Sequence, residues 1–541
     1  MDKDLSRPVL IVGAGPTGLV LANLLGLYGI ETLLIERSTG LSSYPRAISI
    51  DDEGLRICQG LGLCKEILEH VLLNLEAQYL SHGRLLVRVT PVSQANGYPL
   101  ISTFHQPELE TMLLNGLQRF PHVQVCFGYT LEHFEQANQE IRAGLRTPTG
   151  ALQYMSCAYL LACDGGKSAV RRMLGIPLRG TTFRQRWLVV DGICEEPAPT
   201  QLITFFCDAH RPAVSVPAPG KGWRWEFMLH PGEEEQSFLS PINLSQLLQQ
   251  IGDVRKPSIT RQAIYTFHAS YAASFSAGRV FLLGDAAHLL PPFGGQGMNC
   301  GLRDAYNLAW KLALVLRSEA QTGLLDTYQQ ERAPHAREMI RLSAFLGNIV
   351  MPTNRLHTFL RDGVLRTLLR IPPVATSLTE MRIKPALSYK QGFRSRVKTR
   401  ISATYAGQLL PQPLVLTQKN KLVLLDEVLG PDFALLRLYP YPDKAFQALH
   451  DDFWQRLKPR RVCIVPATES MPEVDLDWIW AKDTRHFALF MRERQDLFLL
   501  VRPDRVLFGA FTAEEEPSFI KMLQKQLESP GSRKESFHAH R

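Results

Sequence analysis

The most constraining feature of this chain is a glycine-rich turn between an apolar run and a helical pattern near its N-terminus. Val9–Val12 is rich in β-branched residues, residues 13–18 follow as Gly-Ala-Gly-Pro-Thr-Gly, and Leu19–Leu27 has helical spacing. A second apolar run then ends at the acid Glu36, 18 residues after Gly18. This order predicts a βαβ unit whose glycine turn lies at the first strand-to-helix junction.

The spacing of these glycines suits the binding of a dinucleotide pyrophosphate. Gly13 permits the tight turn, Gly15 lets the backbone approach the pyrophosphate, and Gly18 lets the helix pack closely on the strand. The helix N-terminus then faces the phosphates with its free N–H groups. Glu36 is placed to accept hydrogen bonds from an adenosine ribose. We therefore expect a dinucleotide cofactor at this turn, and a purely structural glycine turn is the alternative.

Two further turns lie between predicted strands and helices. Ala158–Ala162 leads into a turn that contains Asp164 and resembles a nucleotide-binding turn. A helix N-cap is the alternative explanation for this aspartate. Arg279–Leu283 leads into Asp285 and a glycine-dense loop that ends near Asn299, where a long amphipathic helix begins. Such a helix start favours a negatively charged partner. Asp285 would repel a phosphate, so a sugar-alcohol chain is the partner that we expect for it.

The charge balance of the chain fits an anionic cofactor without suggesting nucleic acid. There are 60 Lys and Arg against 52 Asp and Glu, which gives a net charge of +8. The two signs are interleaved along the chain, so nucleic-acid binding receives little support. Arg46 lies in an unusual loop, 44–47, where a guanidinium can pair bidentately with a pyrophosphate. A solvated surface arginine is the alternative for this residue.

Cysteine spacing and hydropathy argue against metal, disulfide and membrane classes. The nine cysteines include no Cys-x-x-Cys pair, so neither a zinc site nor a disulfide framework is expected. We interpret them as buried thiols of a protein in the reducing cytoplasm. The uncharged stretch Pro8–Ile30 is long enough for a bilayer, but its glycines and Pro16 break it into strand, turn and helix. No membrane partner and no metal are expected.

A chain of 541 residues is too long for one hydrophobic core and predicts several domains. Between the second and third turns, alternating or apolar runs indicate an antiparallel sheet. After residue 401 the βα pattern starts again. We predict a nucleotide-binding domain over 1–180 and 271–345, a substrate-binding sheet domain over 181–270 with part of 75–105, a helical connection over 346–400, a second α/β domain over 401–528 and a loose tail over 529–541.

The three turns, in this order, resemble those of the single-component FAD-dependent aromatic hydroxylases, which have the p-hydroxybenzoate hydroxylase fold. Finer matches resemble the 3-(3-hydroxyphenyl)propionate (3-hydroxycinnamate) hydroxylase family across essentially the whole chain. These matches are Tyr44–Ile48 with Asp51–Glu53, His105–Pro107, Cys163–Gly166, Cys207–Asp208 with Arg211–Pro212, and Thr327–Arg332.

The resemblance implies an α/β fold class with three parts. These are an FAD-binding Rossmann-like domain of the glutathione-reductase type, an inserted antiparallel-sheet substrate domain and a C-terminal thioredoxin-like domain. The last of these contains only Cys463 and therefore lacks the Cys-x-x-Cys of a redox-active thioredoxin. We interpret it as a structural or assembly domain, which leaves room for a homodimer.

Carried over position by position, the resemblance implies FAD as the cofactor, with NADH (or NADPH) and O2 as co-substrates. The glycine turn and Glu36 would bind the FAD pyrophosphate and ribose, Asp285 the ribityl chain, and the helix start the pyrimidine edge of the flavin. Pro292 would lie at the substrate side of the flavin, as a catalytic residue. The implied cofactor-binding residues are Gly13, Gly15, Gly18, Glu36, Arg37, Arg46, Gln106, Asp164, Gly284, Asp285, Gly297, Met298 and Asn299.

A phenylpropionate substrate requires a cation for its carboxylate and a hydrogen-bond acceptor or base for its phenol. Arg211 and Arg224 lie in the predicted sheet region and are the candidates for the carboxylate, with a structural surface arginine as the alternative for each. His210, His230 and Tyr271 are candidate phenol partners. The same sheet is expected to exclude water from the reacting atoms.

The sequence therefore predicts an enzyme, a flavoprotein monooxygenase that inserts one oxygen atom into a phenolic ring through a C4a-hydroperoxyflavin. The resemblance implies 3-(3-hydroxyphenyl)propanoate or 3-hydroxycinnamate as substrate and the 2,3-dihydroxy compound as product, within the degradation of phenylpropanoates. One alternative is the same chemistry on another phenol, such as resorcinol, a halophenol or a polycyclic phenol. Others are a flavoprotein that reduces or epoxidises alkenes and a flavin redox sensor that does not hydroxylate.

Overall fold

A computed structural model gives the arrangement of most of the chain. It describes residues 8–137, 139–196, 200–233, 241–253, 255–396, 405–438, 446–466, 479–483, 490 and 496–531. Among these residues, no helix combines the length and the apolar character that a membrane span requires.

The strands of the described residues are numbered in chain order. Their bounds are β1 Val9–Val12, β2 Thr32–Glu36, β3 Ser49–Ile50, β4 Val71–Leu72, β5 Glu76–Ser81, β6 Arg84–Val89, β7 Ser102–Phe104, β8 Val123–Phe127, β9 Thr130–Gln136, β10 Ile141–Arg146, β11 Leu152–Cys157, β12 Tyr159–Ala162, β13 Leu178–Ile193, β14 Leu202–Phe206, β15 Ala213–Pro217, β16 Gly222–Leu229, β17 Ser258–Ala272, β18 Ser276–Ala277, β19 Val280–Leu282, β20 His288–Leu289, β21 Leu414–Thr417, β22 Leu422–Leu424, β23 Ala434–Leu438, β24 Arg460–Val465, β25 Ile479–Asp483, β26 Phe498–Val501 and β27 Leu507–Phe511.

The helices connect these strands. The α-helices are Pro16–Leu27, Asp52–Gly60, Cys64–Glu69, Gln106–Gly116, Ala169–Met173, Pro241–Gln250, Gln296–Leu316, Gly323–Val350, Arg355–Leu368, Pro372–Thr379, Leu425–Leu429, Phe453–Leu457 and Glu516–Leu527, and short 3-10 turns lie at Leu117–Arg119, Gly284–Ala286, Pro292–Gly294 and Ala513–Glu515.

The first sheet has six strands in the order β18-β19-β12-β1-β2-β8, and every neighbouring pair except β18 and β19 is parallel. Strands β19, β12 and β1 are direct neighbours, so their carboxyl ends lie side by side. The three turns of the sequence follow these strands, at Gly13, Asp164 and Gly284. Because open parallel sheets bind ligands outside the carboxyl ends of their strands, this edge gathers the three turns into one site.

The second sheet has eight strands in the order β20-β17-β13-β16-β15-β14-β5-β6. Its neighbouring pairs are antiparallel except for β14 and β5, which are parallel. The sheet contains the predicted strand-rich region 181–270 and extends beyond it. Strand β13 begins at Leu178, before the predicted start at residue 181. Strands β5 and β6, which lie within the predicted segment 75–105, belong to the same sheet.

Strand β16 of this sheet has two different faces. Trp225 and Phe227 pack in one apolar cluster with residues of the helix Pro241–Gln250. Because side chains alternate along a strand, Arg224 and Glu226 point to the opposite face. That opposite face borders the cavity described below.

The C-terminal residues form a seven-stranded mixed sheet in the order β22-β21-β25-β24-β23-β26-β27. The helix Glu516–Leu527 packs on it, with the Phe519 and Phe511 rings 4.2 Å apart between centroids. Cys463 is buried in this sheet and forms no disulfide. The predicted α/β fold class is confirmed, because a parallel sheet, an inserted antiparallel sheet and a C-terminal α/β unit are all present. The residue numbers at which the domains divide stay a prediction.

The regions predicted as a connection and a loose tail are both partly described. Helices occupy much of the connection, and the strands of the C-terminal sheet begin only after it. At the tail, the Gly323 N–H donates to the Ser529 carbonyl and the Gly531 N–H to the Thr322 hydroxyl, each at 3.1 Å. The start of the predicted tail is therefore bonded to the protein, and residues 532–541 lie outside the described residues.

Candidate active site

One large cavity joins the carboxyl edge of the parallel sheet to the polar face of β16. Its volume is about 770 Å³, which is within the range of pockets that bind cofactors and small molecules. Most of the cofactor-binding residues predicted from the sequence line this cavity. Gly18 and Gly284 do not, but each is adjacent in sequence to a residue that does. The predicted site residues that line it are Gly13, Gly15, Glu36, Arg37, Arg46, Gln106, Asp164, Arg224, Asp285, Pro292, Gly297, Met298 and Asn299.

The glycine turn after β1 is closely packed on one side and open on the other. Gly13 has a φ of +106°, and a Cβ there would lie 2.4 Å from the Cys163 carbonyl oxygen. A Cβ at Gly18 would lie 2.0 Å from the Gly13 carbonyl oxygen. At Gly15, by contrast, an added Cβ would meet no atom within 4 Å. The fold therefore requires Gly13 and Gly18, whereas Gly15 leaves room for a ligand.

Glu36 stabilises this turn as well as lining the cavity. Its Oε2 accepts a hydrogen bond from the Ala14 N–H at 3.0 Å, and its Oε1 accepts one from the Ser38 N–H at 2.9 Å. Each carboxylate oxygen can accept more than one hydrogen bond, so the group can still accept from a ribose hydroxyl. Glu36 thus holds the turn in shape before any ligand binds.

The loop that carries Arg46 is held by the side chain of Gln106. The Gln106 Oε1 accepts hydrogen bonds from the N–H groups of Arg46 and Ala47, at 2.8 and 2.7 Å, and its Nε2 donates to Glu110 at 2.7 Å. Burial raises the pKa of Glu110 to about 7. The Arg46 guanidinium lines the cavity and makes no hydrogen bond to a described residue, so it can bind a phosphate.

Two aspartates on the turns after β12 and β19 line the cavity. Asp164 accepts at Oδ2 from the Val170 N–H at 3.2 Å, and its buried Oδ1 has no hydrogen-bond partner among the described residues. Enclosure by protein raises the pKa of Asp285, which His288 and Arg46 partly oppose. The buried Asp164 oxygen requires a donor, and the Asp285 carboxylate, which is exposed to the cavity, can accept from one. The hydroxyls of a ribityl chain supply such donors.

The long helix Gln296–Leu316 begins at the cavity. Gly295 precedes it with a φ of +62°, and a Cβ there would lie 2.7 Å from the Ser49 Cβ. The Asn299 Nδ2 donates to the Gly295 carbonyl at 2.8 Å and so secures the turn. At Gly297 an added Cβ would meet no atom within 4 Å. The first N–H groups of the helix therefore border open space and carry the positive end of the helix dipole.

These features fit the successive parts of FAD. The open backbone at Gly15 and the Arg46 guanidinium suit a pyrophosphate, and the carboxylate of Asp285 suits a ribityl chain. The helix start at Gly297 suits an electron-rich ring edge. The unpartnered buried oxygen of Asp164 is an independent sign that a ligand with hydroxyl or N–H donors belongs in this space.

A buried group of charges beside the helix start was missed by the sequence analysis. Asp51, which lines the cavity, is bonded to Arg303 and accepts from the Lys384 Nζ at 2.9 Å. Arg303 also donates to Glu53 at 2.6 Å. Burial raises the pKa of Asp51, but Arg303 and Lys384 lower it more, so the net shift is downward. The acids Asp51 and Glu53 lie in one short segment, but Arg303 and Lys384 are far from it in sequence, so no local pattern predicts that these charges meet.

The other end of the cavity is an apolar chamber against the eight-stranded sheet. Tyr79 and Phe205 stack there, with ring centroids 4.6 Å apart. Such walls suit an aromatic ring and exclude water. We call this end the apolar chamber, and its lining residues are Ala77, Tyr79, Val89, Ile101, Ile203, Phe205, Val214, Val216, Leu290, Phe293, Leu342, Leu346, Leu378, Met381 and Ile383.

Arg224 lines the cavity, but its guanidinium is bonded to the protein. The Nε donates to Asp191 at 2.6 Å, and the Nη2 donates to Asp191 at 3.1 Å and to the Pro45 carbonyl at 2.9 Å. The Nη1 donates to the Arg46 carbonyl at 2.8 Å. One of the five guanidinium N–H groups is left for a substrate. Arg224 therefore holds the Arg46 loop against β16, and its binding of a substrate carboxylate stays a prediction.

The structure does not bring Arg211 to the cavity. Its Nη2 donates to Glu233 at 2.6 Å, and its Nη1 donates to the Met228 carbonyl at 2.8 Å. The guanidinium is thus held at the edge of the sheet by a neighbouring carboxylate. Arg211 is thus not among the residues that line the cavity, and its binding of a substrate carboxylate stays an untested prediction.

The candidate phenol partners also lie away from the cavity. The His210 and His230 rings pack against each other, 6.2 Å apart between centroids. Tyr271 contacts the Arg337 guanidinium, which lies 4.6 Å from the centre of the tyrosine ring. None of the three lines the cavity in the described part of the chain. Pro292 does line the cavity, and the catalytic roles expected for His210, Tyr271 and Pro292 stay predictions.

Two polar groups that border the apolar chamber were missed by the sequence analysis. They are the hydroxyl of Tyr79 and the carboxyl of Glu226. For Glu226 a signal was present, because residues 223–227 read Trp-Arg-Trp-Glu-Phe and alternate aromatic with charged side chains. A strand buried on both faces with charges on one of them indicates a polar function on that face.

The fold and the cavity together define an FAD-binding oxidoreductase whose cofactor site opens into an apolar chamber. Residues 6–343 match the family described as FAD binding domain, and residues 407–526 match the HcaD C-terminal domain. The chain is 40% identical over 471 residues to the 3-(3-hydroxy-phenyl)propionate/3-hydroxycinnamic acid hydroxylase of Escherichia coli strain K12. The aligned residues make up 86% of this chain and 84% of that protein. The chain belongs to this family of FAD-dependent hydroxylases.

Solved structures show the same fold. The flavin-dependent monooxygenase PieE, determined with FAD and substrate, has a TM-score of 0.81 at 21% identity and covers 98% of this chain and 100% of its own. Aklavinone-11 hydroxylase, determined with FAD and aklavinone, has a TM-score of 0.76 at 22% identity. That alignment covers 97% of this chain and 100% of the hydroxylase. The predicted FAD cofactor and the monooxygenase class are confirmed, and the comparisons support them over a redox sensor.

Proposed function

We propose that this enzyme hydroxylates 3-(3-hydroxyphenyl)propanoate or 3-hydroxycinnamate to the 2,3-dihydroxy product, with NADH (or NADPH) and O2 as co-substrates. The observation that carries the proposal is the cavity in which a dinucleotide site opens into a chamber with apolar and aromatic walls. The identity to hydroxylases of that name supports the choice of substrate. The apolar chamber would hold the ring, and its polar border would hold the phenol.

The residues of the chain perform the binding and shielding that the reaction needs. Bound FAD supplies electron transfer from NAD(P)H and activation of O2. Gly15 and Arg46 would bind its pyrophosphate, and Asp285 would bind its ribityl chain. The helix start at Gly297 would stabilise negative charge at the ring edge. The walls of the apolar chamber keep water from the reacting atoms, which prevents loss of the activated oxygen.

A second candidate substrate is a phenol that carries no carboxylate. The observation that favours it is the bonding of Arg224, whose guanidinium is largely occupied by Asp191 and two carbonyls. Among the described residues that line the cavity, the other cations lie at the cofactor end. An uncharged phenol such as 3-propylphenol would need no cation in the apolar chamber.

The test is NADH oxidation by the FAD-loaded enzyme with 3-(3-hydroxyphenyl)propanoate, with the product mass measured in parallel. We expect stimulated oxidation and a product heavier by one oxygen atom. The matched comparison is 3-propylphenol, which has the same ring and chain length without the charge. Hydroxylation of the uncharged compound alone would overturn the carboxylated substrate and favour the second candidate.

We infer a cytoplasmic location from the state of the cysteines. None of the nine forms a disulfide, and most are buried, as expected in a reducing compartment. Cell fractionation with an antibody to the protein tests this inference. The predicted homodimer is tested by light scattering of the purified holoenzyme, where a mass near 61.0 kDa would contradict it.

A further inference from the structure

Glu226 is a buried acid on the wall of the cavity. It lies in β16, where it is paired in register with Val189 of β13 and Val214 of β15. Its exposed fraction is 8%, and it lines the cavity together with Val214 and Val216. An acid in apolar surroundings of this kind costs free energy unless it has a function or a partner.

The Glu226 carboxyl has no side-chain hydrogen bond to any of the residues that the structure describes. The charged groups that act on it are Arg224 of the same strand and Asp191 of β13, and those two are bonded to each other at 2.6 Å. Burial raises the pKa of Glu226, and Arg224 opposes this only in part. The carboxyl is therefore a stronger base when ionised than a surface glutamate.

Other groups near the chamber are less suited to take a proton from a phenol. His210, His230 and Tyr271 lie away from the cavity. Burial raises the pKa of Tyr79, so its hydroxyl stays protonated and cannot act as the base for a phenol. The remaining walls of the apolar chamber are hydrocarbon or aromatic.

We propose that Glu226 is a catalytic residue whose carboxylate accepts the proton of the substrate phenol. The O–H bond of the phenol breaks, an O–H bond forms on the Glu226 carboxyl, and the electron pair stays on the phenolate oxygen. The phenolate makes the neighbouring ring carbon more electron-rich, which favours transfer of an electrophilic oxygen to it. This assignment rests on the proposed function, because it requires a phenolic substrate in the apolar chamber.

The experiment compares the FAD-loaded wild type with Glu226→Gln, which keeps the shape and removes the base. We expect product formation to fall about a hundredfold, as is typical for loss of a general base. The wild type should bind 3-(3-hydroxyphenyl)propanoate more tightly than its 3-methoxy analogue, and the variant should lose that preference. The absorbance of bound phenolate should appear at a higher pH in the variant.

The matched control is Glu233→Gln, in which a glutamate of the same sheet region is changed away from the cavity. It should retain wild-type turnover and the wild-type preference for the phenol over the methoxy analogue. Glu226→Asp should recover part of the activity, because it restores a base at a longer distance. Full activity and an unchanged phenolate absorbance in Glu226→Gln would overturn the assignment.

Failure of this assignment can be told apart from failure of the proposed function. If the wild type hydroxylates the phenylpropanoate and Glu226→Gln does so equally well, only the role of Glu226 is overturned. If the wild type acts on 3-propylphenol alone, the proposed substrate is overturned, and the same variants are then compared on that phenol. If the wild type hydroxylates no phenol, both fail.

Discussion

Buried charges occur in two regions of this molecule, and their bonding differs. Where the parallel-sheet part meets the C-terminal sheet, the charges are paired: Glu331 accepts from Arg502 at 2.8 and 2.9 Å and from Lys311 at 2.7 Å. In the cavity, the buried carboxyl of Glu226 has no side-chain hydrogen bond to a described residue, and neither has the carboxyl of Asp285, which is exposed to the cavity. Because an unpaired buried charge is costly, its persistence marks the place where a ligand completes the bonding.

The pKa values reflect the same difference. Burial raises the pKa of Glu331, but Arg502 and Lys311 lower it more, to about 2. Burial also raises the pKa values of Asp285 and Glu226, and there the nearby charges leave the net shift upward. Glu331 therefore keeps its charge down to low pH, although burial lowers the pKa of its partner Lys311 to about 8. Asp285 and Glu226, by contrast, are placed to exchange protons or to meet hydroxyl donors.

Arg502→Ala breaks the paired region and should have the largest effect. The change leaves Glu331 and Asp504 as buried charges without their main partner, which costs about 3–5 kcal/mol of unfolding free energy in comparable cases. Urea unfolding followed by circular dichroism measures the loss. The control is Arg146→Ala, which removes the partner of Glu132 on the surface and should leave stability unchanged.

A small effect of Arg502→Ala would contradict the comparison. It would mean that the C-terminal unit is held to the helices of the FAD-binding part by apolar packing, for example between Trp310 and Phe433, whose rings are 5.6 Å apart. In that case paired and unpaired charges would not distinguish the two regions.

Gly15→Ala tests the open region with a change of one methyl group. The added Cβ meets no protein atom within 4 Å, so the protein without cofactor should keep its stability. The methyl group would enter the space of the pyrophosphate, and FAD affinity should fall by about tenfold or more, equivalent to about 1.4 kcal/mol. Flavin fluorescence titration measures the affinity.

Gly18→Ala is the contrasting variant for this prediction. Its Cβ would lie 2.0 Å from the Gly13 carbonyl oxygen, so it should lower the stability of the protein even without FAD. If Gly15→Ala binds FAD as tightly as the wild type, the cofactor does not use the open side of this turn.

Glu110→Gln should have the smallest effect, and it concerns pH. The pKa of Glu110 is about 7 in the folded protein, above the ordinary value of 4.5, because burial favours the neutral acid. The resulting stability is fully present below pH 4.5 and is lost as the pH rises through about 7. Above that pH the ionised group would also repel the FAD phosphates near Arg46.

We therefore expect FAD affinity in the wild type to decline by a few-fold between about pH 6 and pH 8, and Glu110→Gln to remove the decline. Affinity titrations at several pH values measure it. The Gln106 Nε2 can still donate to the new amide oxygen, so the Arg46 loop should keep its position. A decline of equal size in the variant would assign the pH dependence to another group.

Local patterns predicted residues for the cofactor end of the site, and the roles of these residues stay predictions. Gly13, Gly15 and Asp285 each lie in a short segment between a strand and a helix, and such segments have few possible conformations. The parallel order of the strands then places the segments side by side. For this reason the residues could be assigned from the sequence, and the structure places them on one cavity.

The substrate end could not be assigned in the same way. Arg211 and Arg224 both lie in strand-rich sequence, yet one pairs with Glu233 at the edge of the sheet and the other holds the Arg46 loop. Alternation along a strand tells which residues share a face, but it does not tell which face meets the cavity. Glu226 was missed for this reason, although its strand alternates visibly.

The amino-acid order of this chain determines its class, because the glycine turn, the Asp164 turn and the start of the helix at Gly297 are local features that act over a few residues. The identity of the chamber residues, the occupied state of Arg224 and the unpaired state of Glu226 depend on contacts between residues far apart in the chain. Only the packing of the sheets against each other decides such contacts, since the free energy of a buried charge is set by its neighbours in space.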